Sequence, residues 1–190
     1  MSVTVRECAP PPFSVADALR YAGCRTVSED MAALAEACFD ELRGGLCYRV
    51  CYAELTVSVT GDTCDFGVFS LTSADLSRYL RGCRRVVLFA ATVGVAPDRL
   101  IQRYSRVSPS RALMLQAVGA ERIEALCDAF CATLDGALPS RFSPGYGDLP
   151  LAAQKDALRV LEAHRIGVCL NDSLLMSPTK SVTAFVGIKG

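Results

Sequence analysis

Residues 141–150 read RFSPGYGDLP, two glycines, two prolines, a tyrosine and an arginine in ten positions. Pro144 fixes its own φ and biases Ser143 toward extended geometry, while Gly145 and Gly147 permit positive φ and close approach of a ligand to the backbone. The stretch therefore predicts a rigid cradle lined by backbone. Arg141 at its mouth offers a planar fork suited to a carboxylate or phosphate, and Tyr146 offers a ring face and a hydroxyl. A second reading stays open from these residues alone: a proline-stiffened connection whose arginine makes an ordinary surface ion pair.

Working outward, the residues after the loop, LAAQKDALRVLEAHRI, carry helical periodicity, and GVCLND and SVTAFVGI read as closing strands. Before the loop lies the longest periodic stretch of the chain, from about Pro109 to Leu134, with Ser108 as its expected cap. Gly119 within it predicts a local weakness of about 1 kcal/mol.

In the N-terminal half, Ser14 and Asp17 have the spacing of a capping box ahead of ADALRYAG, with Gly23 as the stop. Ser28 opens a second helix that ends at Gly44-Gly45. CYRVCYAELTVSV, a turn at GDT and CDFGVFSL together predict a hairpin. Thr72 or Ser73 then caps a short helix to Leu80, RRVVLFAATVG reads as a buried strand, and Val95-Ala96-Pro97 leads into a helix through DRLIQRYSRV. The pattern is α+β, a mixed or mostly antiparallel sheet flanked by helices in a single domain over residues 1–190, with the ligand-binding part expected in residues 108–190.

Composition narrows the functions. Lys plus Arg and Asp plus Glu each number 20, so no basic field exists to neutralise nucleic-acid phosphates. No apolar run is long enough to cross a bilayer and MSVTVRECAPPP lacks a signal-peptide core, which together predict a cytoplasmic protein without a membrane partner. In that reducing compartment the ten cysteines read as small buried apolar residues. The pairs Cys47/Cys51 and Cys127/Cys131 have a spacing that suits one face of a helix, but His164 is the sole histidine and four ligands for a structural zinc are hard to assemble. His164 at a helix end reads as a partner of the helix dipole. A Ser-His-Asp triad, a GxGxxG turn and a GxxxxGK loop all lack support.

Read together, RFSPGYGDLPLAAQ and IGVCLNDSLLMSPTKSVTAFVGI resemble the activation domain of cobalamin-dependent methionine synthase. The resemblance runs through Arg141, Gly145, Tyr146, Pro150, Gly167, Leu170, Met176, Pro178, Ser181 and Val182. MLQAVGAERIEALCDAF resembles the family helix that carries a ligand-binding glutamate, at the position of Glu124. Residues 1–107 are more loosely similar to the opening of small stand-alone members.

The resemblance implies S-adenosylmethionine as ligand, presented so that oxidised cobalamin is reduced and remethylated. Arg141 is expected on the methionyl carboxylate, Glu124 on the ammonium, and the Ser143 to Gly145 backbone along the adenosine, with Tyr146 also among the ligand-binding residues. No Asp-x-His-x-x-Gly cobalamin motif is present, so the corrinoid is expected on a partner, a cobalamin-dependent methionine synthase or related corrinoid protein, with a reductant protein as further partner. The chain has no nucleophile or acid-base dyad of its own; the Glu124/Asp128 pair reads as one ligand-facing acid and one solvated neighbour. The fused domain continues past the strand that begins at Ser181 and supplies an acidic residue from its N-terminal part that has no evident counterpart. Two alternatives therefore stand beside the reactivation subunit: a non-catalytic interaction module that has lost the small-molecule site, and a reactivation factor for another corrinoid methyltransferase.

Overall fold

The run VVLFAAT is apolar at nearly every position, and in a computed structural model that describes residues 1–189 it is the centre of the sheet. The elements, in chain order, begin with β1 (Thr4–Glu7), α1 (Val15–Tyr21), α2 (Glu29–Arg43) and β2 (Arg49–Thr56). A small meander follows as β3 (Ser58–Thr60), β4 (Thr63–Asp65) and β5 (Ser70–Thr72), and then α3 (Ala74–Tyr79), β6 (Arg85–Thr92), α4 (Ala96–Tyr104) and the long α5 (Pro109–Cys131). The chain closes with α6 (Gln154–Val160), β7 (Cys169–Leu170), β8 (Met176–Ser177) and β9 (Ser181–Ile188).

The main sheet has the order β1-β2-β6-β9, with every pairing antiparallel. Period-2 alternation divides β6 between two cores. Val86, Leu88 and Ala90 face a core shared with α3, α6 and the meander, and Val87, Phe89 and Ala91 face Ile123, Leu126 and Phe130 of α5. Fully burying a side chain such as Phe89 is worth roughly 2–3 kcal/mol, so a strand buried on both faces is the main hydrophobic anchor of the fold. The other end of α5 packs Met114, Leu115 and Val118 against α1 and α2, which makes α5 a layer between sheet and helices.

Three of the four expected serine caps form. Ser14 Oγ accepts from Asp17 N, Ser28 Oγ from Met31 N and Ser73 Oγ from Leu76 N. Ser108 precedes α5 but makes no side-chain cap, and Pro109 at the start removes one donor that would otherwise need a partner. Gly119 has a different role from the one expected. A Cβ there would lie 2.9 Å from Lys180 Cε and 3.1 Å from its Cγ, so the glycine makes room for the lysine stem that crosses α5.

Three extended or helical expectations change. The run from Cys47 to Leu71 is not one hairpin: β2 joins the main sheet, and after Val57 donates to the Arg84 carbonyl the chain turns into the separate β3-β4-β5 meander. The helix after the loop is interrupted, because Glu162 (φ 49°) ends α6 and a 3₁₀ turn, Ala163–Ile166, redirects Ala163, Ile166 and Val168 into the core. GVCLND contributes only β7, which pairs with β8 and not with the main sheet. His164 is exposed in the last 3₁₀ turn, beside Arg165.

Among the described residues no helix is long and apolar enough to cross a membrane. The ten cysteines are all free thiols, and no group of three or more His, Cys, Asp or Glu side chains among the described residues is arranged to hold a metal ion. Burial pushes the Cys51 thiol up to about 11 and the Cys127 thiol further still.

Candidate functional site

The approach to the RFSPGYGDLP loop is laid along the free edge of β9. Leu138 N donates to Gly187 O at 2.8 Å, and Phe142 and Phe185 exchange backbone hydrogen bonds at 2.9 and 2.8 Å. Tyr79 Oη donates to Ser140 O at 2.5 Å and accepts from Gly187 N at 3.2 Å, a side-chain rivet between α3, the loop and β9. Arg141 thus projects from backbone that behaves as an extra edge strand, not from a free loop.

The turn itself closes through Tyr146 N to Ser143 O and Gly145 N to Leu149 O. Gly145 (φ 87°) and Gly147 (φ 54°) sit in the left-handed region that favours glycine. At Gly147 a Cβ would collide with the Asp75 carboxylate. Asp148 then fastens the turn to the start of α3, where its carboxylate accepts from Ser73 Oγ, Ala74 N at 2.7 Å and Asp75 N at 3.2 Å. The Ser73 hydrogen bond, helped by the two backbone donors, lowers the Asp148 pKa below its ordinary value. Rigidity was expected of the loop; the anchor that supplies it, Asp148 on Ser73, was not.

The side chain of Arg141 reaches back to α5. Its Nη1 donates to Asp128 Oδ1 at 2.5 Å and its Nη2 donates to Glu124 Oε2. Four residues separate the two acids, so one helical face offers both to one guanidinium. Their exposures differ: the Asp128 side chain is 71% exposed, that of Glu124 37% and that of Arg141 21%. Burial works against the Arg141 charge, but the hydrogen bond to Asp128 and the nearby carboxylate of Glu124 prevail and raise its pKa.

Four of the five expected residues meet at one cavity of about 350 Å³: Glu124, Arg141, Ser143 and Tyr146, together with Ser140 and Val182. Gly145 is not on its wall and acts through the turn. Tyr146 is 70% exposed and lies edge-on to the Phe142 ring at 6.2 Å. Ser143 and Val182 also border a second cavity of about 360 Å³, so the two form neighbouring parts of one groove on either side of them. The second cavity runs between the loop and β8, past Leu151, Gln154, Leu175 and Met176.

Two further features escaped the sequence reading. Asp17 of α1, beside Arg20, lines a small cavity of about 130 Å³ with Glu121, Glu124 and Asp128, which brings an N-terminal acid close to Glu124. Glu121 and Arg122, both buried, form an ion pair in which Arg122 Nε donates to Glu121 Oε2 at 2.5 Å. Arg122 also donates to the carbonyls of Pro11 and Pro12, and Glu121 Oε1 accepts from Ser14 N at 3.1 Å. The pair takes the place of the reciprocal half of the capping box at α1. An adjacent Glu-Arg in an otherwise apolar stretch of helix was the available signal.

No family model matches the chain, and no curated protein matches it. Among solved structures, it is similar to the crystal structure of the MetH reactivation domain bound to AdoHcy, with a TM-score of 0.67 at 14% sequence identity, over 99% of this chain and 78% of that one. The α+β fold expected from the sequence is the one observed, and it is shared with that reactivation domain.

Proposed function

We propose that the chain binds S-adenosylmethionine at the Arg141 cavity and acts as a cytoplasmic reactivation subunit for a cobalamin-dependent methionine synthase that carries the corrinoid. The observation that carries this reading is the meeting of Arg141, Glu124, Ser143 and Tyr146 at one cavity, on a fold shared with a domain solved with AdoHcy. The donor set fits the ligand class. An amino acid moiety brings a carboxylate and an ammonium, and the cavity wall supplies the Arg141 guanidinium and the Glu124 carboxylate, with Asp128 pairing Arg141 from outside that wall.

Binding is then an exchange of partners. The exposed Asp128 is the partner Arg141 gives up most readily, since a solvated pair contributes at most about 1 kcal/mol. The ligand carboxylate takes its place on the guanidinium, and Glu124 turns to the ligand ammonium. When bound, S-adenosylmethionine supplies a transferable methyl group on a sulfonium; the part of the chain is to hold and orient it toward a docked partner. The test is turnover by a methionine synthase that lacks an activation domain of its own and has been inactivated by cobalamin oxidation. Addition of this chain, S-adenosylmethionine and a reductant protein is expected to restore methionine formation; an unchanged, inactive synthase contradicts the proposal.

One observation favours a second reading. Arg141 already has two carboxylate partners from its own chain, which suits an interaction module that keeps the fold without the ligand. Under that reading Arg141→Ala leaves both docking and activity unchanged, whereas the first predicts lost remethylation with docking retained.

A further inference from the structure

A cavity of about 550 Å³ lies behind Arg141, between the end of α5 and the segment that leads to the edge of β9. It is larger than either part of the groove and within the range of small-molecule sites. Ser140 and Arg141 line both this cavity and the one that holds Glu124, whereas Ser143, Tyr146 and Val182 lie on the groove side alone. One guanidinium therefore serves two walls.

The wall of this cavity carries one charge of each sign. Arg141 Nη1 donates to Asp128 Oδ1 at 2.5 Å, and both side chains line the cavity. The third titratable group there is the Cys131 thiol, whose pKa burial raises, so it stays neutral at pH 7. The ion pair is not exhausted by its own bond. The guanidinium has N–H donors beyond those spent on Asp128 and Glu124, and Asp128 Oδ2 accepts no hydrogen bond among the described residues. Ala132, Leu134, Leu138 and Pro139 supply an apolar side.

This arrangement selects by charge. A lone anion meets the Asp128 carboxylate and a lone cation meets the guanidinium, like charges in either case. A zwitterion with its two charges one carbon apart meets neither penalty, because its carboxylate takes the spare guanidinium donors and its ammonium takes Asp128 Oδ2. We infer that the cavity binds a free α-amino acid with an apolar side chain, its charges on the Arg141–Asp128 pair and its side chain against Leu134 and Leu138. One consequence rests on the proposed function. The S-adenosyl ligand draws Arg141 away from Asp128 whereas the amino acid uses the pair intact, so each ligand weakens the other by the same factor.

Calorimetric titration of the full chain with L-leucine and with L-methionine tests the site. Both are expected to bind saturably, and N-acetyl-L-methionine and L-methioninamide, which each lack one charge, at least about tenfold more weakly. Ala132→Phe puts a ring into the cavity from an exposed position at the end of α5. It is expected to weaken both amino acids at least about tenfold and to leave S-adenosylhomocysteine binding as in the wild type. As S-adenosylhomocysteine saturates wild-type protein, the affinity for L-leucine is expected to fall about three- to tenfold and then level off.

No saturable heat from either amino acid, or equal binding of the N-acetyl form, overturns the inference and leaves the proposed function standing. So does amino acid binding that Ala132→Phe leaves unchanged, or that S-adenosylhomocysteine suppresses without limit, since the amino acid then sits in the groove. Amino acid binding with no heat from S-adenosylhomocysteine overturns the proposed function and leaves this site standing. The wild-type titrations decide the matter even if Ala132→Phe does not fold.

Discussion

Helix α5 carries two arginine–carboxylate clusters a turn apart, and they are put to opposite uses. Arg122 and Glu121 are sealed, with side chains 0% and 3% exposed, and the guanidinium lies 5.2 and 5.3 Å from the ring centroids of Phe13 and Phe39, which stack on each other. Glu124 and Asp128 instead hold an arginine from another segment at the edge of a groove. The sealed pair is committed to backbone at the start of α1 and the proline segment before it, so its charges hold that segment and α1 against α5. The open cluster has a partner that solvent already reaches, Asp128, which under the proposed function a ligand carboxylate replaces. Under the proposed function, accessibility and not the identity of the charges separates the structural ion pair from the receptor.

Substitutions break or sharpen that contrast to different degrees. Arg122→Met should have the largest effect: it leaves Glu121 charged and buried without its partner, a loss of about 3–5 kcal/mol in chemical denaturation. A loss below about 1 kcal/mol would mean that the pair is not sealed in solution. Gly147→Ala should cost roughly 1–3 kcal/mol by the same measurement, since an L residue at φ 54° is strained and its Cβ runs into Asp75. Wild-type stability there would show that the loop is not pinned to α3.

Arg141→Ala is expected to change stability by less than about 1 kcal/mol, because the pairs it breaks are partly solvated. A drop as large as that of Arg122→Met would erase the distinction between the clusters. The smallest effect belongs to Asp148→Asn and depends on pH. The folded Asp148 pKa lies below its unfolded value, so its contribution is present above about pH 4 and is lost as pH falls through the lower, folded value. Melting temperatures of Asp148→Asn and wild type should therefore differ most near neutrality and converge as pH falls through the lowered, folded value; a difference that is constant with pH contradicts the Ser73 anchor.

The elements that follow strong local signals were legible in the chain. Ser14, Ser28 and Ser73 name their helices through local hydrogen bonds, and VVLFAAT names the central strand through its lack of polar positions. Contacts between distant segments were not. Val57 continues a β pattern on both sides, so the switch from main sheet to meander depends on the Arg84 carbonyl, which lies far along the chain. Gly119 reads as a helix defect until Lys180, 61 positions later, is seen to cross it. The groove divides in the same way. Arg141 and Tyr146 stand out by residue type, but the anchoring part of Asp148 and the place of Asp17 beside Glu124 come only from what folds against them.

The central claim is that the open cluster is a receptor. Calorimetric titration of S-adenosylhomocysteine into wild-type protein and into Arg141→Ala tests it most directly. The account predicts saturable one-to-one binding by the wild type and at least about a hundredfold weaker binding by the variant, whose thermal stability stays near wild type. Equal affinity in the two proteins, or no binding heat from the wild type, would contradict it.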